Sequence, residues 1–269
     1  MVTYCNYVST HWSVKESAVA YSAVAGVFAA VMLPFLGVVL SSNSQARDNP
    51  DDPGGLASIR MPSLILGAFL FCLTASFLYG VISGDTACIR ANLVDGPAAF
   101  LFGLGAAMSF VALAWLAELW QAPDRTRQVF QDFAILGVLF IAAEVLFTIM
   151  QMLLSARGST AYWPSIADTV LILAPPSIAV LATVVLYYLK VGLGAVGALL
   201  RWALPISYLG SVVIGAVFVN GEFSKPAGNA LWVLGTTGYA WIFGITLASL
   251  VAFLPKRVAI AKPQIDANA

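Results

Sequence analysis

Three polar side chains share one face of a long apolar segment, residues 136–154. Glu144, Thr148 and Gln151 stand at i, i+4 and i+7, a spacing that places them on one side of an α-helix. A charged side chain at the centre of a membrane-spanning helix costs about 2.5–3.5 kcal/mol. Glu144 avoids much of this cost as the neutral acid, but it still needs polar partners. The stripe therefore predicts a site inside a bundle, with Glu144 as proton carrier, cation ligand or general acid.

Polar and helix-breaking residues of other apolar segments fall at a similar depth. Counting about 1.5 Å per residue along each segment places the Pro175–Pro176 pair close to the level of Glu144. Irregular backbone at this depth is tolerated only inside protein or beside water. The sequence thus predicts one internal binding site or proton and ion pathway. Its expected residues are Glu144, Thr148, Gln151, Ser211, Thr237 and Tyr239.

A structural role for Glu144 explains the same pattern. The side chain could hydrogen-bond to hydroxyl groups of neighbouring helices and hold the bundle together. No charged partner is expected at its depth, because Asp95 is assigned to an outer loop and Glu118 to the cytoplasmic end of a helix. Proton relays and transporters usually contain several such groups. Both interpretations are therefore retained as hypotheses.

The composition indicates the class of protein in which this stripe is embedded. Hydrophobic residues make up 60% of the 269 positions and charged residues only 10%, whereas soluble domains carry about 25% charged residues. Several apolar runs exceed the roughly 20 residues that cross a bilayer. We expect an all-α, polytopic integral membrane protein, a seven-transmembrane-helix bundle in a single membrane domain, residues 1–269. The predicted spans are 16–40, 62–83, 97–120, 130–154, 166–189, 198–219 and 230–254.

The distribution of basic residues predicts the orientation of the bundle. If the chain crosses the membrane seven times, nine of the 13 Lys and Arg residues fall on one side of the membrane. Basic residues collect on the cytoplasmic side, so we expect the N-terminus outside, the C-terminus in the cytoplasm, and a multi-pass protein of a plasma or inner membrane. The nine residues are Arg47, Arg60, Arg125, Arg127, Lys190, Arg201, Lys256, Arg257 and Lys262.

The residue inventory excludes several kinds of site. His11 is the single histidine, so neither a three-His zinc site nor a bis-His haem site can be built, and we expect no cofactor. The net charge of zero gives no basic face for a nucleic acid. Cys5 and Cys88 both fall on the predicted outer side, where they could form a disulfide or remain free thiols.

Small residues concentrate in segments 102–109 and 192–200. They permit close contact between helices. Tight packing within the chain explains them, and so does an interface with a second copy or with a partner membrane subunit. The lipid bilayer is the remaining expected partner.

The predicted layout resembles that of microbial rhodopsins, which have seven spans and an outer N-terminus. The stretch RWALPISYLG, residues 201–210, is similar to the Trp-Pro-aromatic pattern of their sixth helix. A retinal Schiff base, however, needs a lysine in the seventh span, and residues 230–254 contain none. The third span also lacks an Arg and an Asp suited as gate and counter-ion, so a retinal pigment is rejected.

Three functions are consistent with these observations. The first is a small channel, carrier or solute-binding membrane protein with its site around Glu144. The second is a non-catalytic membrane subunit of a larger complex, in which Glu144 is structural. The third is a membrane-embedded enzyme acting on a lipophilic substrate, with Glu144 as the acid. Short loops, one histidine and the lack of paired carboxylates count against an enzyme.

Overall fold

Seven α-helices account for nearly all of the chain that the computed structural model describes, which is residues 14–42, 53–85, 88–156, 166–189, 191–220 and 230–256. The described residues contain no β-strand, so the predicted all-α class is confirmed. The helices are α1 Val14–Ser42, α2 Pro53–Gly84, α3 Cys88–Leu119, α4 Asp124–Ala156, α5 Ile166–Tyr188, α6 Gly194–Asn220 and α7 Ala230–Ala252.

Five helices contain a segment long and apolar enough to cross a bilayer, which supports a multi-pass membrane protein. The segments are Val14–Ser41, Ile59–Gly84, Leu93–Leu119, Asp124–Met150 and Ala198–Val217. The apolar segments found in α5 and α7 are shorter, Ala174–Tyr188 and Gly238–Ala252. The seven-span topology and the orientation stay predictions.

The predicted spans match the positions of the helices, but α2 and α3 begin well before them. Pro62 and Pro97, which were expected to start the spans, lie inside helices that begin at Pro53 and Cys88. Hydropathy marks the apolar part of a helix, whereas the backbone continues its hydrogen bonds into the polar residues beyond. For α3 this extension carries Asp95 into the bundle, where it is buried.

Helix α3 is the centre of the arrangement. It contacts α1, α2, α4, α6 and α7, and 78% of its apolar segment is buried, compared with 17% for α1. Helix α1 packs on α2 and α3, while α5 and α6 both pack on α7. Within the described ranges α1 does not contact α4, and α2 and α6 meet only weakly. One cavity lies between α1 and α4, and another lies between α2 and α6.

Two glycines allow helices to approach one another closely. A Cβ at Gly105 of α3 would lie 2.5 Å from the Cys72 Sγ of α2. A Cβ at Gly244 of α7 would lie 2.3 Å from Cβ and 2.6 Å from Cα of Pro176 in α5. The backbones at these crossings therefore leave no room for a side chain.

The end of α7 is fastened by side chains of three other helices. Trp115 Nε1 of α3 donates a hydrogen bond to the Phe253 carbonyl (3.0 Å), and the Tyr187 hydroxyl of α5 donates to the Pro255 carbonyl (2.8 Å). Gln131 Nε2 of α4 reaches the Lys256 carbonyl at 3.4 Å. These bonds satisfy backbone carbonyls of the segment that follows α7 and hold that segment on the bundle.

A tight turn joins α3 to α4. The amide of Ala122 donates to the Ala117 carbonyl and that of Gln121 to the Glu118 carbonyl, both at 3.0 Å, which is the Schellman pattern. Gln121 has a φ of 48°, in the left-handed region that glycine usually occupies at this position. A side chain here carries a steric cost that glycine does not.

Replacing Gln121 by glycine should stabilise the turn. We expect a gain of about 0.5–1 kcal/mol, because relief of the left-handed strain exceeds the extra entropy that glycine loses on folding. A gain of this size raises the thermal midpoint by roughly 2 °C in a chain of this length. Thermal unfolding of the purified protein in detergent measures it. Gln121→Ala is the control and should gain nothing, and equal gains in both variants would contradict the explanation.

Candidate functional site

A cavity of about 530 Å³ lies between α1 and α4 and has α3 as its floor. The floor consists of Asp95, Ala99, Phe102 and Gly103, which recur at i, i+4, i+7 and i+8 and so share one helical face. Ala99 keeps the floor low because its side chain is small. Gly103 lets α4 pack closely on α3, since a Cβ there would lie 2.4 Å from Val145 Cγ2. The cavity separates α1 from α4, which do not contact each other in the described ranges.

Glu144 lines this cavity, which is therefore named the Glu144 cavity. Its walls combine hydroxyl groups, aromatic rings and the Glu144 carboxyl, in addition to the Asp95 carboxyl of the floor. Helix α1 contributes Ser17 and Tyr21, and α2 contributes Tyr79. The two tyrosine rings lie 5.3 Å apart between centroids. The wall formed by α4 contains Phe140, Ile141, Glu144, Val145, Phe147 and Thr148.

The Glu144 carboxyl faces the cavity without a hydrogen-bond or ion-pair partner among the described residues. Thr148 Oγ1 donates to the backbone carbonyl of Glu144 at 3.1 Å and leaves the carboxyl untouched. Glu144 and Asp95 are both near enough to Tyr21 to act electrostatically on its hydroxyl. The sequence predicted that Glu144 is enclosed by the bundle. In the structure Glu144 is exposed and lies in an open groove.

The lining of the cavity favours a positively charged ligand. It contains two carboxyl groups, and no Lys, Arg or His is found among the described residues that line it. In the parts of the chain described, no three His, Cys, Asp or Glu residues are grouped as they would be around a metal ion. Aromatic rings attract cations through the ring quadrupole, and the lining includes the rings of Tyr21, Phe102, Phe140 and Phe147. The arrangement suits an organic cation.

The predicted site residues fall into two groups. Glu144 and Thr148 line the cavity, whereas Ser211 and Tyr239 are buried between α6 and α7. Gln151 lies in α4 and Thr237 in α7, but their side chains are outside the described residues. The shared depth expected from the sequence therefore does not bring Glu144 and Thr148 together with Ser211 and Tyr239. Depth along the membrane normal fixes one coordinate only, and two residues at one level can face different sides of α3.

Hydroxyl groups join α6 to α7 in a buried chain of hydrogen bonds. The Tyr239 hydroxyl donates to Ser211 Oγ (3.0 Å), and Ser211 Oγ donates to the Ser207 carbonyl (2.6 Å). The hydroxyls of Ser207 and Thr246 lie 2.8 Å apart. Every hydroxyl of this group has a protein partner, so the cluster is a cross-link between two helices.

Similar cross-links fasten α2 to its neighbours. Ser22 Oγ of α1 donates to the Ser76 carbonyl at 2.9 Å, and Ser76 Oγ returns a bond to the Ser22 carbonyl at 2.8 Å. The hydroxyls of Thr74 and Tyr208 lie 3.0 Å apart between α2 and α6. The interhelical bonding that was one hypothesis for Glu144 is therefore made by hydroxyl groups elsewhere in the bundle.

Asp95, Tyr21 and Tyr79 line the cavity but were not predicted to belong to a site. Asp95 is 8% exposed and belongs to α3, although it precedes the apolar run that marked the predicted span. A helix drawn from residue 88 would have revealed the Asp95, Ala99, Gly103 face by its four-residue spacing. The two tyrosines had no such signal, because aromatic residues near span ends are common at membrane interfaces.

Of the three cysteines, only Cys72 can be described at its side chain. It is a buried free thiol in α2, packed against Gly105. Cys5 lies outside the described residues, and Cys88 begins α3 with a side chain that is likewise outside them. The disulfide between Cys5 and Cys88 stays a prediction.

Comparisons with protein-family models, with curated proteins and with solved structures find no match to this chain. The geometry and chemistry of the Glu144 cavity are therefore the basis for a functional proposal.

Proposed function

We propose that the protein binds a cationic solute in the Glu144 cavity and serves as a carrier, channel or solute-binding protein of its membrane. The observation that carries the proposal is the Glu144 carboxyl, which lines an aromatic cavity and, among the described residues, is engaged by no hydrogen bond or ion pair. A carboxyl that only holds helices together would be bonded across the interface. An accessible one beside a second acid is suited to a ligand.

The size and lining of the cavity favour an organic ammonium or similar cation. A volume of about 530 Å³ falls within the range of small-molecule sites. Phe102, Phe140 and Phe147 can contact an apolar body, while the Glu144 carboxyl is available to its charge. A small inorganic cation would leave most of this apolar surface without contact.

The gap between α1 and α4 also supports the second hypothesis, a membrane subunit of a larger complex. A helix of another chain could lie in this gap, where the small side chain of Ala99 would permit close approach. In that case a partner would remain bound after gentle extraction. Native mass spectrometry of the extracted protein distinguishes the two functions, because it detects a partner chain and a bound small molecule in one measurement.

Binding of tetraphenylphosphonium, a lipophilic cation, is expected to depend on Glu144. The change Glu144→Gln removes the charge and keeps the shape, so the dissociation constant should rise at least tenfold, equivalent to about 1.4 kcal/mol. Asp95→Asn should act in the same direction. Equilibrium dialysis against the purified protein in detergent measures the affinity.

Two controls separate specific binding from partition into the micelle. Tetraphenylborate has nearly the same shape and a negative charge, so the wild-type protein should bind it far more weakly. Glu16→Gln removes an acid at the same end of the bundle that does not line the cavity, and it should leave the affinity unchanged. Equal affinity for the two probes, or equal effects of Glu16→Gln and Glu144→Gln, would refute the proposal.

A further inference from the structure

A second cavity, of about 650 Å³, lies at the opposite end of the bundle between α2, α6 and the end of α7. Its lining includes three basic side chains, Arg60 of α2, Arg201 of α6 and Lys256 after α7. The rest is mostly apolar and consists of Ile59, Ser63, Leu64, Leu193, Ala198, Leu200, Leu204, Ala252 and Phe253. This basic cavity is thus charged at one part of its wall and apolar over the remainder.

The three basic groups of this cavity have no carboxylate partner in the described parts of the chain. Acids at the same end of the bundle bond elsewhere. Arg127 bonds Glu118 and Asp124, and Asp132 accepts a hydrogen bond from the Tyr188 hydroxyl at 2.9 Å. Arg60 and Arg201 are close enough to repel each other. An anion in the cavity would remove this repulsion.

Arg60 is held in place for such a contact. Its guanidinium lies 4.9 Å from the ring centroid of Trp115 and 4.6 Å from that of Phe253. Trp115 is fixed in turn by its hydrogen bond to the Phe253 carbonyl. The cation–π contacts orient the guanidinium without neutralising its charge. Its N–H groups remain suited to bidentate bonding with a phosphate.

We propose that the basic cavity binds the phosphate group of an anionic phospholipid, with Arg60, Arg201 and Lys256 as its ligands. A general excess of basic residues at one membrane face explains charges scattered along that face, but it does not explain three of them converging on one cavity. Basic pockets between transmembrane helices are known to suit anionic headgroups. The leucine-rich remainder of the wall provides a surface for acyl chains. Free phosphate has no acyl chains and would leave this surface without contact.

Native mass spectrometry of the delipidated, full-length protein tests this site. The probes are phosphatidylglycerol and phosphatidylcholine with identical acyl chains. We expect phosphatidylglycerol to bind at least tenfold more tightly, and Arg201→Gln to weaken it about fivefold, as removal of one cation near a membrane surface should. Arg201 is exposed, so its replacement should not impair folding. Lys256→Gln is a second variant with the same expected result.

A matched control and a competition experiment decide the outcome. Arg125→Gln removes an exposed basic residue of the same end that does not line the cavity, and it should leave lipid binding unchanged. Inorganic phosphate at millimolar concentration should compete poorly. Equal binding of the two lipids, or an equal loss with Arg125→Gln, would overturn the site. Phosphate that binds the protein as tightly as phosphatidylglycerol would overturn its assignment to a lipid.

Discussion

Replacing Gly244 by alanine is expected to destabilise the protein by about 1–3 kcal/mol, a typical cost of overpacking. The new Cβ would lie 2.3 Å from Cβ and 2.6 Å from Cα of Pro176. Pro176 cannot yield as a flexible side chain would, because the nearby atoms belong to its ring and backbone. Helices α5 and α7 would have to separate, and the apolar contacts along their whole crossing would weaken.

The effect of Gly244→Ala can be measured by heating the detergent-purified protein and applying it to size-exclusion chromatography. The measured quantity is the temperature at which the monodisperse peak falls to half its height. Gly238→Ala is a matched control in the same helix, since a Cβ at Gly238 meets nothing within 4 Å. Alanine favours helix over glycine, so this control should be neutral or slightly stabilising. Similar losses in the two variants would show that the Pro176 contact does not limit the packing.

Loss of the Arg127 guanidinium should have a still larger effect. Arg127 Nη1 lies 3.0 Å from Glu118 Oε2, and the Glu118 side chain is 6% exposed. Arg127→Met leaves a buried carboxylate without its cation, which costs about 3 kcal/mol. The pair joins the end of α3 to the first turn of α4, so its loss should also loosen the turn at Gln121.

The double variant tests this explanation of the Arg127 effect. Adding Glu118→Gln to Arg127→Met removes the unpaired charge, and at least half of the lost stability should return in the same thermal assay. Arg125→Met, at an exposed position of the same turn, should change little. A double variant as unstable as Arg127→Met alone would mean that the stem packing of Arg127 matters more than its charge.

The helices themselves were predictable because their apolar runs are long and continuous. All seven were located, and the largest errors lie at the polar starts of α2, α3 and α4, where hydropathy gives no signal. The packing of the helices was not predictable, since apolar faces look alike in a sequence. Glu144 could be identified as unusual from its position alone, but its neighbour Asp95 could not, because the two are separated by a turn and most of two helices.

The arrangement of the Glu144 cavity also changes one argument about enzymes. An enzyme was disfavoured partly for lack of paired carboxyls, and Asp95 and Glu144 line the same cavity. That objection no longer applies. The rest of the lining still favours binding over catalysis, because aromatic rings outnumber the acids and Ser17 and Thr148 supply hydroxyl groups.

The pattern of helix contacts also has a consequence for the assembly of the chain during its synthesis. Helices α1 to α4 each pack on a neighbour in sequence, so they can associate as they emerge. Helices α5 and α6 do not contact each other in the described ranges, and both pack on α7. Helices α5 and α6 are therefore joined to each other only once α7 has been made. A ribosome that stops before residue 230 would leave α5 on α4 and α6 on α3, without the helix that links the two.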